Sequence, residues 1–103
     1  MSSLSGYQKK YLRGLAHALD PVVRIGKQGI TETVIESVHE ALDAQELIKV
    51  KFIDFKEERK DLSRRLEQLC SGELVGMIGN IAILYRQHSD PDRRRITLPT
   101  RPA

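Results

Sequence analysis

The residues with the most chemical promise are four in a row, Gly26, Lys27, Gln28 and Gly29, set between the β-branched run "VVRI" and Thr31. Thr31 suits the N-cap of a following helix. The chain entering a helix N-terminus presents amide N–H groups without intrahelical partners at the positive end of the helix dipole. Such a place attracts phosphate. Glycines let the chain turn tightly and let a sugar-phosphate backbone come within hydrogen-bonding distance, while Lys27 adds a point charge at the tip. The same pair also serves a plain strand-to-helix turn that needs positive φ and binds nothing. A Walker loop and a dinucleotide fingerprint are both excluded, because "GKQG" has neither GxxxxGK[ST] nor GxGxxG spacing.

The other reactive side chains form no second site. Cys70 is the only cysteine, so it makes no internal disulfide and is expected as a buried or half-buried thiol. His17, His39 and His88 are scattered, without metal-ligand spacing or a paired acid. Glu57, Glu58 and Asp61 crowd among lysines and arginines, away from the apolar surroundings that raise a carboxyl pKa for acid–base work. These exclusions point to a binding module, not an enzyme, with no catalytic residue, metal, cofactor or small-molecule substrate expected.

The net charge of +3 decides little; its distribution decides more. Through Gly29 the cations Lys9, Lys10, Arg13, Arg24 and Lys27 face one acid, Asp20. From Ile30 to Leu47 the sign reverses, with Glu32, Glu36, Glu40, Asp43 and Glu46 and no Lys or Arg. After Asn80 it turns positive through Arg86, Arg93, Arg94, Arg95 and Arg101. A fold that joins the two basic segments would carry one positive face, the footprint of a polyanion, and one negative face.

The elements that must position these residues follow from periodicity. "SGYQKKYLRGLAHAL" repeats Leu12, Leu15, Ala16 and Leu19 at helical spacing, with Ser5 and Gln8 as a capping box, and must stop before Pro21. Lys9, Arg13 and His17 stand at four-residue steps beside Lys10, a cationic stripe off the leucine face. "VVRI" is a strand. A helix from Thr31 buries Val34, Ile35, Val38, Ala41 and Leu42, with Ile30 and Ile35 as a hydrophobic staple. "LIKVKFI" is a strand with one face in the core and Lys49 and Lys51 on a face at least partly wet. Asp54 and Glu57 would cap a third helix with Leu62, Leu66 and Leu69 on its stripe, ending near Gly72; its mixed charges read as a solvated face. "ELVGMIGNIAILYR" is a hairpin turning at Gly79-Asn80, and the tail beyond it is expected to be extended, with a short strand at "RRITL". The order is αβαβαββ. Its strand–helix–strand unit predicts a right-handed parallel crossover, and the hairpin makes the sheet mixed.

The succession "LRGLAHALDPVVRIGKQGIT", "ELIKVKF" and "LYR" before a basic "RRRITLP" resembles the bacterial YhbY-type stand-alone CRM domain, named for chloroplast RNA splicing and ribosome maturation. The resemblance runs from about Ser5 to Pro99. It implies a compact α/β (α+β) domain over residues 1–98, followed by a tail 99–103, with three helices and a mixed four-stranded sheet similar to the C-terminal domain of translation initiation factor three. It also implies RNA binding through the GxxG loop and nearby basic surface, and a part in ribosome assembly on large-subunit precursors. The residues expected at RNA are Gly26, Lys27, Gln28, Gly29, Thr31, Lys9, Lys10, Arg13, Arg24 and Arg86. Large-subunit ribosomal RNA is the expected partner. The protein is expected to be a monomer in the cytoplasm with no membrane partner, since no apolar run approaches the roughly 18 residues of a spanning helix. The rival reading is a protein-interaction module whose acidic second helix, Glu32, Glu36 and Glu40, meets a basic ribosomal protein.

Overall fold

The computed structural model describes residues 4–100, so Arg101 and the end of the tail lie outside the described residues. Helix α1 (Gly6–Ala16) leads to strand β1 (Val23–Ile25), helix α2 (Glu32–Gln45) and strand β2 (Leu47–Phe52). Helix α3 (Arg59–Cys70), strands β3 (Glu73–Ile78) and β4 (Ile81–Tyr85) and a 3-10 turn at Pro91–Arg93 follow. The sheet order is β1-β2-β4-β3. β1 lies parallel to β2, as the crossover requires, and the other pairs are antiparallel.

Strand alternation builds two cores on opposite faces of this sheet. Ile48, Val50 and Phe52 join Val38 and Leu42 of α2 and Leu66 and Cys70 of α3 on one face. Leu47, Ile83 and Tyr85 meet Leu12 and Ala16 of α1 on the other. Ser5 and Gln8 form the expected capping box. Thr31 caps α2, and Ile30 and Ile35 both pack on the first core. The hairpin turns at Gly79, whose φ of 57° at the first turn position suits a two-residue loop.

Several expectations need correction. Leu15 and Leu69 are exposed, at 37% and 43%, and the buried stripe of α3 continues instead through Ser63 and Cys70. Asp54 and Glu57 cap nothing: the amides of Ile53 and Asp54 both donate to the carbonyl of Ile25, a turn through Phe55 follows, and α3 begins at Arg59 without a side-chain cap. Lys49 is buried under α1 and donates to the carbonyl of Leu19 at 2.9 Å, so the wet face of β2 is reduced to Lys51. No strand forms at "RRITL". The amides of Arg95 and Ile96 donate instead to the carboxylate of Glu46, which is fully buried and not part of a solvated acidic face.

Candidate nucleic-acid interface

β1 delivers the chain to the loop at one end of the sheet. The amide of Gly29 donates to the carbonyl of Gly26 at 3.0 Å, closing a turn with Lys27 and Gln28 exposed at its tip. Neither side chain has a partner among the described residues. The two glycines differ in kind. Gly29 takes φ +70°, a conformation that strains any side chain. Gly26 has no positive φ, and a Cβ added there would meet nothing within 4 Å. The fold therefore needs glycine at 29 and does not need it at 26.

Beyond the turn, Thr31 Oγ1 accepts the amide of Val34 at 3.2 Å. That leaves the first amides of α2, at Glu32 and Thr33, directed at whatever approaches. Glu32 itself stands in this first turn and offsets part of the dipole, so the positive charge of the site rests mainly on lysine and arginine.

Those cations come from the sheet. Arg24 pairs in register with Lys51, and Lys51 with Ile81, which in turn faces Ile78. The four side chains share the face on which α1 lies, in a row at the loop end that leaves Arg24, Lys51 and Ile78 exposed. Neighbouring strands are about 4.8 Å apart, so Arg24 and Lys51 form one patch directly behind the loop. Lys51 was not among the expected contacts; its alternation with Val50 and the parallel pairing of β1 with β2 were the signals that could have found it. Phe55 was missed too, and nothing in the local pattern marked it. It is 41% exposed, has φ 57°, and its ring lies 3.6 Å from where a Cβ on Gly29 would stand.

The other expected residues divide. Lys10 is exposed on α1. Arg13 lies over β3, its Nη1 donating to the carbonyl of Val75 at 3.2 Å and its Cδ only 2.7 Å from the place a Cβ would take on Gly76. Gly76 is two residues from Ile78, about 7 Å along the strand, which puts Arg13 at the border of the open row. Lys9 points elsewhere, into a cleft shared with Arg64, Glu67 and Glu73.

Arg86 is at the far end of the sheet, beside Leu47↔Tyr85, about 17 Å along β2 from the loop. Its guanidinium donates to the Cys70 carbonyl (2.7 Å), the His39 carbonyl (3.1 Å), His39 Nδ1 (2.9 Å) and Asp43 Oδ1 (2.8 Å). Arginine has no acceptor, so His39 Nδ1 accepts and its ring proton sits on Nε2. Nearby, Glu46 Oε2 takes the amide of His88 and Oε1 those of Arg95 and Ile96, at 2.7, 2.6 and 2.9 Å. Burial by itself would raise this carboxyl, but the three backbone donors and the charge of His88 outweigh it and hold the pKa below its ordinary value. The Cys70 thiol is buried and burial pushes its pKa up, which leaves it a poor nucleophile. Among the described residues no group of His, Cys, Asp or Glu is placed to hold a metal ion, and no helix is long and apolar enough to cross a membrane.

A two-core domain with an open cationic loop at one sheet end defines a small α/β binding module. Residues 4–86 match the CRS1 / YhbY (CRM) domain, and the chain belongs to that family. It is 40% identical over 100 residues to a Haemophilus influenzae protein named "RNA-binding protein", covering 96% of this chain and 98% of that one. It is 37% identical over 97 residues to "Probable RNA-binding protein YqeI" of Bacillus subtilis, covering 93% of this chain and 99% of its relative. The solution structure of the hypothetical protein SAV1595 from Staphylococcus aureus superimposes with a TM-score of 0.79 at 39% identity, over 93% of this chain and 99% of that one.

Proposed function

We propose that the protein is an RNA-binding module of ribosome assembly, acting as a monomer on precursors of the large subunit through its Gly26–Gly29 loop. The observation that carries this reading is an exposed Lys27, without a partner among the described residues, beside Gly26, a glycine the fold does not require. Open space is kept next to a cation at a helix N-terminus, and a phosphate oxygen fits it. Arg24, Lys51 and Lys10 would hold neighbouring phosphates, with Arg13 at the edge of the track. Lys9 and Arg86 are left out, one set in a mixed-charge cleft with Arg64, Glu67 and Glu73 and the other occupied within the fold.

RNA is favoured over other polyanions by the names of the relatives. Aromatics are only 5% of the chain, so recognition rests mainly on backbone and shape. A small domain with few phosphate contacts binds isolated RNA modestly and with strong salt dependence, so lasting association needs several phosphates held in register. Immature ribosomal RNA exposes such surfaces, and the mature particle covers many of them with protein. The resemblance to the ribosome-maturation family favours the same place.

A sucrose gradient probed for the protein tests this, with Gly29→Asp beside the parent. The expected result is a peak with large-subunit precursors, depleted from mature ribosomes and lost in the variant. Uniform presence on translating ribosomes would make it a translation factor. A free peak with no ribosomal fraction would favour docking through Glu32, Glu36 and Glu40, all exposed on α2.

A further inference from the structure

The ring of Phe55 is hard to explain by the fold. The chain has two phenylalanines; Phe52 is fully buried, while Phe55 is 41% exposed at the candidate site. Its backbone sits at φ 57°, where a bulky residue is strained by about 1–2 kcal/mol. Its position is nevertheless fixed. The segment leaving β2 is tied to the root of the loop by two amides donating to the Ile25 carbonyl, and the amide of Glu58 closes a turn onto the carbonyl of Phe55 at 3.1 Å. One side of the ring lies against Gly29, 3.6 Å from the place of a Cβ, and much of the rest is open to solvent. Lys56, next in the chain, and Lys51, on the strand leading to it, are both exposed.

A flat, exposed aromatic ring carried on a pinned backbone beside a phosphate site is the arrangement that stacks a nucleobase. We propose that Phe55 stacks an unpaired base whose neighbouring phosphate sits at Gly26–Gly29. This deepens the RNA-binding reading and rests on it, for it names the ligand as RNA with an unpaired nucleotide at the loop, not a continuous duplex. The bases of a duplex are already stacked on one another, so a duplex can offer this site only its phosphates.

The chain contains no tryptophan, so Phe55→Trp installs a single indole reporter at the ring position. Single-stranded polyadenylate should quench its fluorescence, and a fully paired RNA hairpin should not. Phe55→Leu keeps apolar packing on Gly29 but offers no stacking face. It should bind polyadenylate roughly tenfold more weakly than the parent, with duplex affinity and thermal unfolding unchanged, while Phe55→Trp retains parental affinity. If Phe55→Leu binds polyadenylate as tightly as the parent while Gly29→Asp does not, the loop reading stands and the stacking role is wrong. Equal weakening toward polyadenylate and duplex would make the ring a mere support for Gly29. A parent that binds neither RNA removes both readings together.

Discussion

The two ends of the sheet hold the same residue types in opposite states. At the loop end Lys27, Arg24 and Lys51 stand exposed and unpartnered among the described residues. At the other end Arg86 and Glu46 spend their charge inside the protein: the arginine joins β4 to α2 and to the end of α3, and the glutamate holds the tail. Removing one partner of a desolvated, hydrogen-bonded charge leaves the other groups uncompensated and is costly. An exposed charge contributes little to the fold and remains available to a ligand. Basic residues alone therefore do not mark a candidate polyanion site; those left without hydrogen bonds in the fold do.

The largest effect should come from breaking the pinned end. Arg86→Ala strips partners from the Cys70 and His39 carbonyls and from His39 Nδ1, and should lower stability by about 3 kcal/mol in chemical denaturation. The folded fraction should bind RNA with parental affinity; a loss of affinity matching that of a loop variant would return Arg86 to the interface. Glu46 supplies a second handle. Its folded pKa lies below the ordinary 4.5, so its contribution is fully present above pH 4.5 and is lost as pH falls through the folded value. Proteolysis of the tail beyond Tyr85 should speed up in that acid window, and Glu46→Gln should remove most of this pH dependence.

At the loop end, Gly29→Asp brings both a side chain and a negative charge to the phosphate position. RNA affinity should fall more than tenfold, about 1.4 kcal/mol or more, in filter binding. The φ of +70° adds a stability cost of about 1 kcal/mol, which aspartate bears better than most residues. Gly26→Val is the sharper partner: with open space and no positive φ it should leave stability within about 0.5 kcal/mol, yet weaken binding if phosphate enters there. Parental affinity in Gly26→Val would mean that the space beside Gly26 is not used.

Most of the architecture was legible because periodicity reports it. The caps at Ser5 and Thr31, the parallel crossover and the turn at Gly79 are local or nearly local signals, and each formed as expected. The glycine turn at Gly26–Gly29 was legible for the same reason, from the β-branched run before it and Thr31 after it. What was hidden depended on distant partners. Glu46 reads as one more acid of α2 until residues 88, 95 and 96 fold back onto it. Lys49 and Lys51 are equivalent in the strand pattern, and only the path of α1 buries one of them. Phe55 sits where a capping box was expected, and its meaning comes from Gly29 across the loop.

A smaller effect separates direct contacts from diffuse charge. Each true phosphate contact removed should lower the slope of log affinity against log salt by roughly 0.7 for single-stranded RNA or about 0.9 for duplex. Lys27→Ala and Lys51→Ala should each do so. Lys60→Ala, on the exposed mixed-charge face of α3, should leave the slope unchanged, and so should Lys9→Ala in its mixed-charge cleft. Identical behaviour of all four would erase the distinction between the open end and the rest of the surface.

The smallest effect runs the other way and tests whether the helix end takes part. Glu32 occupies the first turn of α2, where its carboxylate interacts favourably with the dipole and competes with any phosphate drawn to the same amides. Glu32→Gln removes the competing charge while keeping the shape of the side chain. Stability should drop by about 0.5 kcal/mol, the usual size of such a dipole interaction, while RNA affinity rises by roughly twofold to threefold at low salt. The gain should shrink as salt is added, because Glu32 is exposed and its repulsion is screened. An affinity that does not move, with the expected loss of stability, would show that the phosphate sits on Lys27 and the turn alone, and that the amides of α2 lie beyond its reach.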